Sequence, residues 1–502
     1  MNHALRRISL VALAMFLLLL LSVNYVQAFQ PGSLAAQRGN ARTFSQQYQF
    51  QRGSIVTSDN QTIAESVHVN GIYSYQRHYP DPLVFAPVTG YASLYSATGI
   101  EQAEDKFLSG NDPQLTVHNL IDLVTGKPKK GATVELTVNS AAQTAAYNAL
   151  KATGLPSGAV ALDPRTGAVL ALASYPTFNP NRYATFNSAQ LRRIDNHYRF
   201  SARQPLLNRA ISQTFPPGST FKVVTGSTGF STGKVQSPQT RVYAPTNLKL
   251  PGTSKVLINF DNLPCDNGTN PTGNGKVPLI FAFTVSCNTV FGNLGMQLGD
   301  NAIRQQAVKF GMNDPNLKIP LPVAMSSYPP IPGNDPALTA YSAIGQYNDQ
   351  VTPLQEAMFS AAIANHGTLM TPYMVQKVTA PDLTPLVTTP SSVLSQAVSP
   401  TVASQVSEMM VDVVKQPYGT AHNSVTSVTN IPMAAKTGTA QNGANNTGLD
   451  DAVFTCFAPV ANPRIAVGVI VKGGGLGADA SAPIAVKIVQ AYMAYLASQA
   501  KR

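Results

Sequence analysis

The chain has 502 residues but few charges, with Asp, Glu, Lys and Arg making up only 12%. It has three cysteines, seven histidines and no tryptophan. No metal-ligand spacing joins Cys265, Cys287 and Cys456 to the histidines, so neither a zinc site nor any other metal is expected. Nothing in the pattern asks for a cofactor. The formal charge is +11, yet no long run of Lys or Arg appears, and nucleic acid is not an expected partner. An anionic envelope polymer or a membrane surface suits the charge as well as simple solubility does. The hydrophobic share of 44% excludes a disordered chain, and no internal repeat is apparent.

What the chain does have is one long apolar run. Residues 8–28 are almost wholly apolar and long enough to span a bilayer as a helix. Arg6 and Arg7 precede them, which predicts a cytoplasmic segment 1–7 and a body outside the membrane. A cleaved signal peptide is the alternative, because Val26-Gln27-Ala28 has small residues at cleavage spacing. The expectation is a single-pass protein of the cell membrane. An extracytoplasmic body permits a disulfide, for which Cys265 and Cys287 are the better placed pair. Cys456 lies in an apolar strand-like run and reads as a buried thiol.

Three short motifs carry chemistry. In Pro216-Pro217-Gly218-Ser219-Thr220-Phe221-Lys222, the Pro-Pro-Gly stops the preceding structure and Ser219 opens a helix. Ser219 and Lys222 are i and i+3, so they share a helical face. A serine needs a base, and lysine serves only if burial or a second positive charge lowers its pKa. Ser286-Cys287-Asn288 and Lys436-Thr437-Gly438-Thr439 follow in order. Each motif alone is more often an ordinary helix or strand ending. The ordered set is the acyl-transfer signature of penicillin-binding proteins and related β-lactamases.

The chain therefore resembles the class B penicillin-binding proteins, monofunctional D,D-transpeptidases, of the actinobacterial penicillin-binding protein A kind. Arg52-Gly53-Ser54-Ile55, Gly99-Ile100-Glu101, Asp163-Pro164-Arg165-Thr166-Gly167 and Thr352-Pro353-Leu354-Gln355 extend the likeness over nearly everything after the apolar run. The resemblance implies an α/β transpeptidase domain, a central antiparallel sheet flanked by helices, at 155–502. It also implies a non-catalytic, dimerisation-like pedestal at 29–154. The expected catalytic residues are Ser219 as nucleophile, Lys222 as base, Ser286 as proton relay, Asn288 as orienting group and Lys436 as second cation. Thr437, Gly438 and Thr439 are expected to bind substrate, with Gly438 letting the substrate backbone lie close. Implied partners are peptidoglycan stem peptides, β-lactam antibiotics and cell-wall synthesis proteins such as a lipid II polymerase. Two stretches depart from many relatives: Tyr347 follows Gly345-Gln346, and Asp451-Ala452-Val453-Phe454 replaces a His-Ala-Trp-Phe-like strand.

Rival readings meet specific gaps. A bifunctional class A protein needs a glycosyltransferase domain, and no suitable carboxylate motif lies before residue 155. A class A β-lactamase needs a deacylating glutamate between the second and third motifs, and Glu356 and Glu408 lack its context. A D,D-carboxypeptidase of the same fold stays open. A non-enzymatic membrane sensor carries more transmembrane helices.

Elsewhere, residues 30–48 read as a polar linker, and Arg52–Ile55 as the start of extended structure. Residues 71–99 show few helical signals. Residues 140–150 read as a helix capped by Ser140. Residues 158–162 and 168–173 read as a hairpin of buried strands. Residues 243–276 read as loop and 277–295 as helix through Ser286. Thr352 with Pro353 should cap a helix to about 365. Helices are expected at 402–416 and 483–499, and strands at 433–440, 453–458 and 465–471. Glu101 and Asp105, at i and i+4, read as a solvated helix face.

Overall fold

In a computed structural model of the chain, residues 2–30, 48–115, 128–265, 275–441 and 448–501 are described. Most of the expected linker and part of the expected 243–276 loop lie outside them. The helix Asn2–Phe29 contains the apolar run and has no acidic residue in its first turn. Its segment Arg6–Ala28 is long and apolar enough to cross a membrane and is not buried within the protein.

A five-stranded antiparallel sheet forms the larger core. Its order is Ala434–Ala440, Asp451–Ala458, Ile465–Val471, Ser157–Leu162, Val169–Tyr175. The expected hairpin is there, turning at Asp163–Gly167. The central strands are buried at every position, which explains their near-continuous apolar sequence in place of strict alternation. First and last parts of the region meet in one sheet because Ser157–Leu162 pairs directly with Ile465–Val471.

The helix Pro353–Ala364 packs against this sheet. All twelve of its residues are buried, the polar Gln355, Glu356 and Ser360 included. Its start is as expected: the Thr352 side chain accepts from the Gln355 N–H, and Pro353 sits where no donor is needed. Helices Ser140–Thr153 and Ala482–Gln499 pack on one another and on the sheet. The cap of the former is Asn139, not Ser140, because the Asn139 carbonyl oxygen accepts from Ala142 N–H. Ser140 instead bonds to Asp59.

A second sheet has six strands: Pro385–Thr388, Val375–Thr379, Thr133–Leu136, Ile55–Val56, Thr62–His68, Tyr75–His78. Two of them come from beyond residue 155, so the N-terminal sheet is completed by the C-terminal part of the chain. The expected lack of helix in 71–99 is corrected. Pro82–Thr89 is a helix despite the internal Pro87, with Phe85, Ala86 and Val88 buried. Pro87 forfeits the bond its N–H would have given to Leu83 O, and burial of these side chains outweighs that loss. The described part of 243–276, expected as loop, holds the short strands Asn247–Lys249 and Val256–Ile258.

The solvated-face reading of Glu101 is wrong. Glu101 is fully buried and holds Arg52 Nε at 2.7 Å and Arg77 Nε at 2.5 Å. Tyr79 Oη donates to it at 3.2 Å. Burial alone would raise its pKa, but Arg77 and Arg52 outweigh that and lower it. Asp105 takes the other arm of Arg52 at 2.6 Å. The Arg52-Gly53 and Gly99-Ile100-Glu101 stretches are thus two halves of one contact.

Removing one member of a buried ion cluster leaves uncompensated charge. Glu101→Ala is expected to destabilise the protein by about 3–5 kcal/mol in denaturant unfolding; an effect near zero would mean the cluster is not held as described. Cys265 and Cys287 are bonded, with Cα atoms 5.5 Å apart, and Cys456 is free and buried. Cys265→Ser/Cys287→Ser is expected to lose about 3 kcal/mol by the chain-entropy estimate. Non-reducing peptide mapping should find both cysteines in one linked peptide pair, and two free thiols would remove the bond from the account.

Candidate active site

Ser219 lies on a 3₁₀ turn, Gly218–Phe221, that runs straight into the helix Lys222–Ser231. Gly218 starts the turn at φ +56°, a conformation open to glycine at little cost. Its N–H donates to Gly345 O at 2.9 Å. A Cβ on Gly218 would stand 2.7 Å from Thr439 O, so the turn is pressed against the Lys436–Thr439 strand. One helical turn after Ser219, Lys222 points inward and is fully buried, while Ser219 is half-buried.

The second motif does not sit inside a helix as expected. Helix Leu279–Thr284 ends, and Asn288–Leu298 begins anew. Ser286 occupies the break at φ +60°. Ser286 N–H donates to Phe283 O and Cys287 N–H to Ala282 O, the paired bonds of a Schellman ending. That ending usually takes glycine, and a serine held there stores roughly 1–2 kcal/mol of strain. Cys287 is tied to Cys265, which braces the break. The result turns both the Ser286 hydroxyl and its carbonyl toward the buried lysines.

The groups converge on Lys222. Its Nζ lies 3.0 Å from Ser219 Oγ, 2.8 Å from Ser286 O, 2.7 Å from Asn288 Oδ1 and 3.3 Å from Ser286 Oγ. Two of these neighbours are carbonyl-type oxygens, which only accept. A neutral amine has two N–H bonds and one lone pair. Given to Ser286 O and Asn288 Oδ1, the two N–H bonds leave the lone pair for the Ser219 hydroxyl. Burial lowers the Lys222 pKa well below 10.5, and the charge of Lys436 lowers it further. Lys436, also fully buried, donates to Ser286 Oγ at 2.8 Å and Thr437 O at 3.0 Å. Burial brings its pKa down to about 7. Phe291 and Phe283 line the two ammonium groups, with ring centres 5.7 and 5.5 Å away. They exclude water while their faces tolerate a cation.

Ser219, Lys222, Ser286, Asn288 and Lys436 are therefore one hydrogen-bonded cluster. Thr437 continues from Lys436 on an edge strand, its hydroxyl 2.6 Å from that of Thr420. A Cβ on Gly438 would meet Pro217 O at 2.8 Å, so its bareness makes room for the turn that carries Ser219. Thr439 lies against Gly218 through its backbone. Sequence reasoning missed Thr420, the two phenylalanines and Glu356, whose Oε1 is 2.8 Å from Thr220 Oγ1. No local pattern marks Thr420 or the phenylalanines; Glu356 was visible only as a glutamate without the hydrolase context.

Among the described residues, no group of three or more His, Cys, Asp or Glu could hold a metal ion. A cleft of about 900 Å³ lies elsewhere, lined in part by Tyr75, Arg77, Tyr91, Tyr95 and Arg192. It contains none of the motif residues, and the converging reactive groups locate the site better than cavity size does.

The penicillin binding protein transpeptidase domain model matches residues 157–493, and that of the penicillin binding protein A dimerisation domain matches 52–134. The peptidoglycan D,D-transpeptidase PbpA of Mycolicibacterium smegmatis is 39% identical over 95% of this chain and 94% of its own. PbpA of Mycobacterium tuberculosis is 39% identical over 98% of this chain and 99% of its own. The structure of penicillin-binding protein A from M. tuberculosis, as a ceftriaxone acyl-enzyme complex, is similar with TM-score 0.84 and 36% identity. It covers 89% of this chain and 99% of that one. An N-terminal region and a reactive cluster that separately point the same way thus agree with whole-chain similarity: the chain belongs to the penicillin-binding protein transpeptidase family.

Proposed function

We propose that this protein is a peptidoglycan D,D-transpeptidase acting through an acyl-enzyme on Ser219. The observation that carries the reading is the contact of a fully buried lysine, Lys222 Nζ, with Ser219 Oγ at 3.0 Å. Ser219 Oγ attacks the penultimate carbonyl of a D-alanyl-D-alanine stem peptide while Lys222 takes its proton. The Oγ–C bond forms, the peptide C–N bond breaks, and the departing D-alanine amine takes a proton relayed through Ser286 from the lysines. The amine of a second stem peptide then attacks the ester carbonyl, forming the cross-link and returning the Ser219 proton.

Asn288 holds Lys222 in register and faces the substrate amide. Lys436 keeps the Lys222 pKa low and attracts the terminal carboxylate, with the hydroxyls of Thr437 and Thr439 completing that anchor. The backbone N–H groups of Ser219 and Thr439 form the oxyanion hole, where one lost donor costs about 3 kcal/mol in transition-state stabilisation. A β-lactam enters the same steps, its ring carbonyl and carboxylate standing in for those of the peptide. Once the lactam opens, no amine leaves, and the ester persists. The helix Asn2–Phe29 serves as the membrane anchor, with the body on the outer face where a lipid II polymerase would supply glycan strands.

Mass spectrometry of the intact protein after a penicillin pulse tests the reading. A stable adduct on the peptide containing Ser219 is expected, absent in Ser219→Ala. Lys222→Ala should slow its formation by about 10²–10⁴, the usual share of a general base. Fast loss of the adduct in water would assign a hydrolase. An adduct elsewhere would discard the site.

A further inference from the structure

Thr220, next to the nucleophile, sits in an arrangement that constrains its neighbour. Its Oγ1 is 2.8 Å from Pro217 O and 2.8 Å from Glu356 Oε1. A hydroxyl carries one proton, and a carbonyl oxygen can only accept. If Thr220 donates to Pro217 O, closing the turn across Ser219, the contact with Glu356 requires a proton on the carboxyl. The alternative gives Thr220's proton to a carboxylate and leaves Pro217 O with only its backbone bond in the 3₁₀ turn, so the hydroxyl no longer clasps it.

The surroundings favour the acid form. Glu356 is fully buried, and its Oε2 has no partner. No cation pairs with it among the described ion pairs. Of the elements packed on its helix, strands Ser157–Leu162, Thr368–Met370 and Ile465–Val471 carry no ionisable group. Asp451–Ala458 brings Asp451 and Cys456. Helix Pro400–Lys415 brings Glu408, Asp412 and Lys415, and beyond the Thr220 turn comes Lys222. None of these forms an ion pair with Glu356. Burial raises its pKa from 4.5 to about 8, the Thr220 contact opposing only in part.

We propose that Glu356 is a neutral carboxylic acid that donates its proton's hydrogen bond to Thr220 and so fixes the turn presenting Ser219. It is a positioning residue, since it touches no reacting atom. The idea rests on Ser219 being the acylated residue. Deprotonation would draw Thr220's proton off Pro217 O and loosen the turn. It also has a thermodynamic mark. A folded-state pKa above the unfolded one means stability is full below about 4.5 and falls as pH rises toward about 8.

The test uses the full chain with Glu356→Gln and Glu356→Leu. Glutamine's amide can still donate to Thr220; leucine cannot. Difference infrared spectra at pH 7 should show the carbonyl stretch of a buried protonated carboxyl, absent in Glu356→Gln and bleached in wild type as pH passes about 8. Wild-type melting temperature should fall relative to Glu356→Gln between pH 4.5 and 8. Penicillin acylation at pH 7 should drop roughly tenfold in Glu356→Leu, about the effect of one lost hydrogen bond, and be largely rescued in Glu356→Gln. Absence of the carboxyl band at pH 7, or equal acylation by the two folded variants, overturns the proposal. If wild type acquires no adduct on Ser219, the functional reading fails first, while the infrared result still decides the charge of Glu356.

Discussion

Two buried lysines without a carboxylate partner are the constraint around which the molecule is arranged. Neither Lys222 nor Lys436 takes part in an ion pair among the described residues. Burying an ammonium group costs several kcal/mol unless it is compensated or loses its proton. Here compensation is partial: carbonyl oxygens, hydroxyls and two aromatic faces surround the pair. The lysines therefore cannot both stay fully charged. Lys222 is the one beside the Ser219 hydroxyl, where an amine that has lost its proton has a lone pair to offer.

The fold supplies this arrangement from three distant parts of the chain. The sheet edge brings Lys436, the helix that opens at Ser219 brings Lys222, and a strained break between two helices brings Ser286. Each support is backed by another. Gly345 and Pro217 pin the nucleophile turn, the Cys265–Cys287 bond pins the break, and the fully buried helix Pro353–Ala364 underlies the sheet. In the N-terminal region a different buried charge, Glu101, is fully paired and plays a structural part. The contrast is instructive: a paired buried charge stabilises a shape, whereas an underpaired one is available for chemistry.

Much of this was legible from residues alone. The hairpin around Asp163–Gly167 and the C-terminal strands were readable because buried strands are apolar throughout. The cap at Thr352-Pro353 was readable because its chemistry is local. The five residues of the cluster were readable because their order and spacing form a known set. Other features depend on partners far away in sequence. Glu101 looks solvated in its own helix, and only Arg52 and Arg77 make it buried. Ser286 looks helical because a left-handed ending usually announces itself with glycine; here the local bonds to Phe283 and Ala282 are backed by the Cys265–Cys287 bond and by contacts with Lys222 and Lys436. Helix Pro82–Thr89 carries an internal proline, Pro87, that argues against it locally, and burial of Phe85 and Val88 overrides it. At Gly438 the close approach of Pro217 O is a contact between parts distant in sequence, which no local pattern announces.

The central claim is that burial and the charge of Lys436 make Lys222 give up its proton more readily than an exposed lysine does. Nuclear magnetic resonance of lysine labelled at Nζ, with Lys222 assigned by its loss in Lys222→Arg, measures this directly. The Lys222 signal should titrate well below 10.5, and Lys436→Met should move that titration upward by removing the like charge. A Lys222 that stays protonated until about 10.5, indifferent to Lys436, would contradict the account.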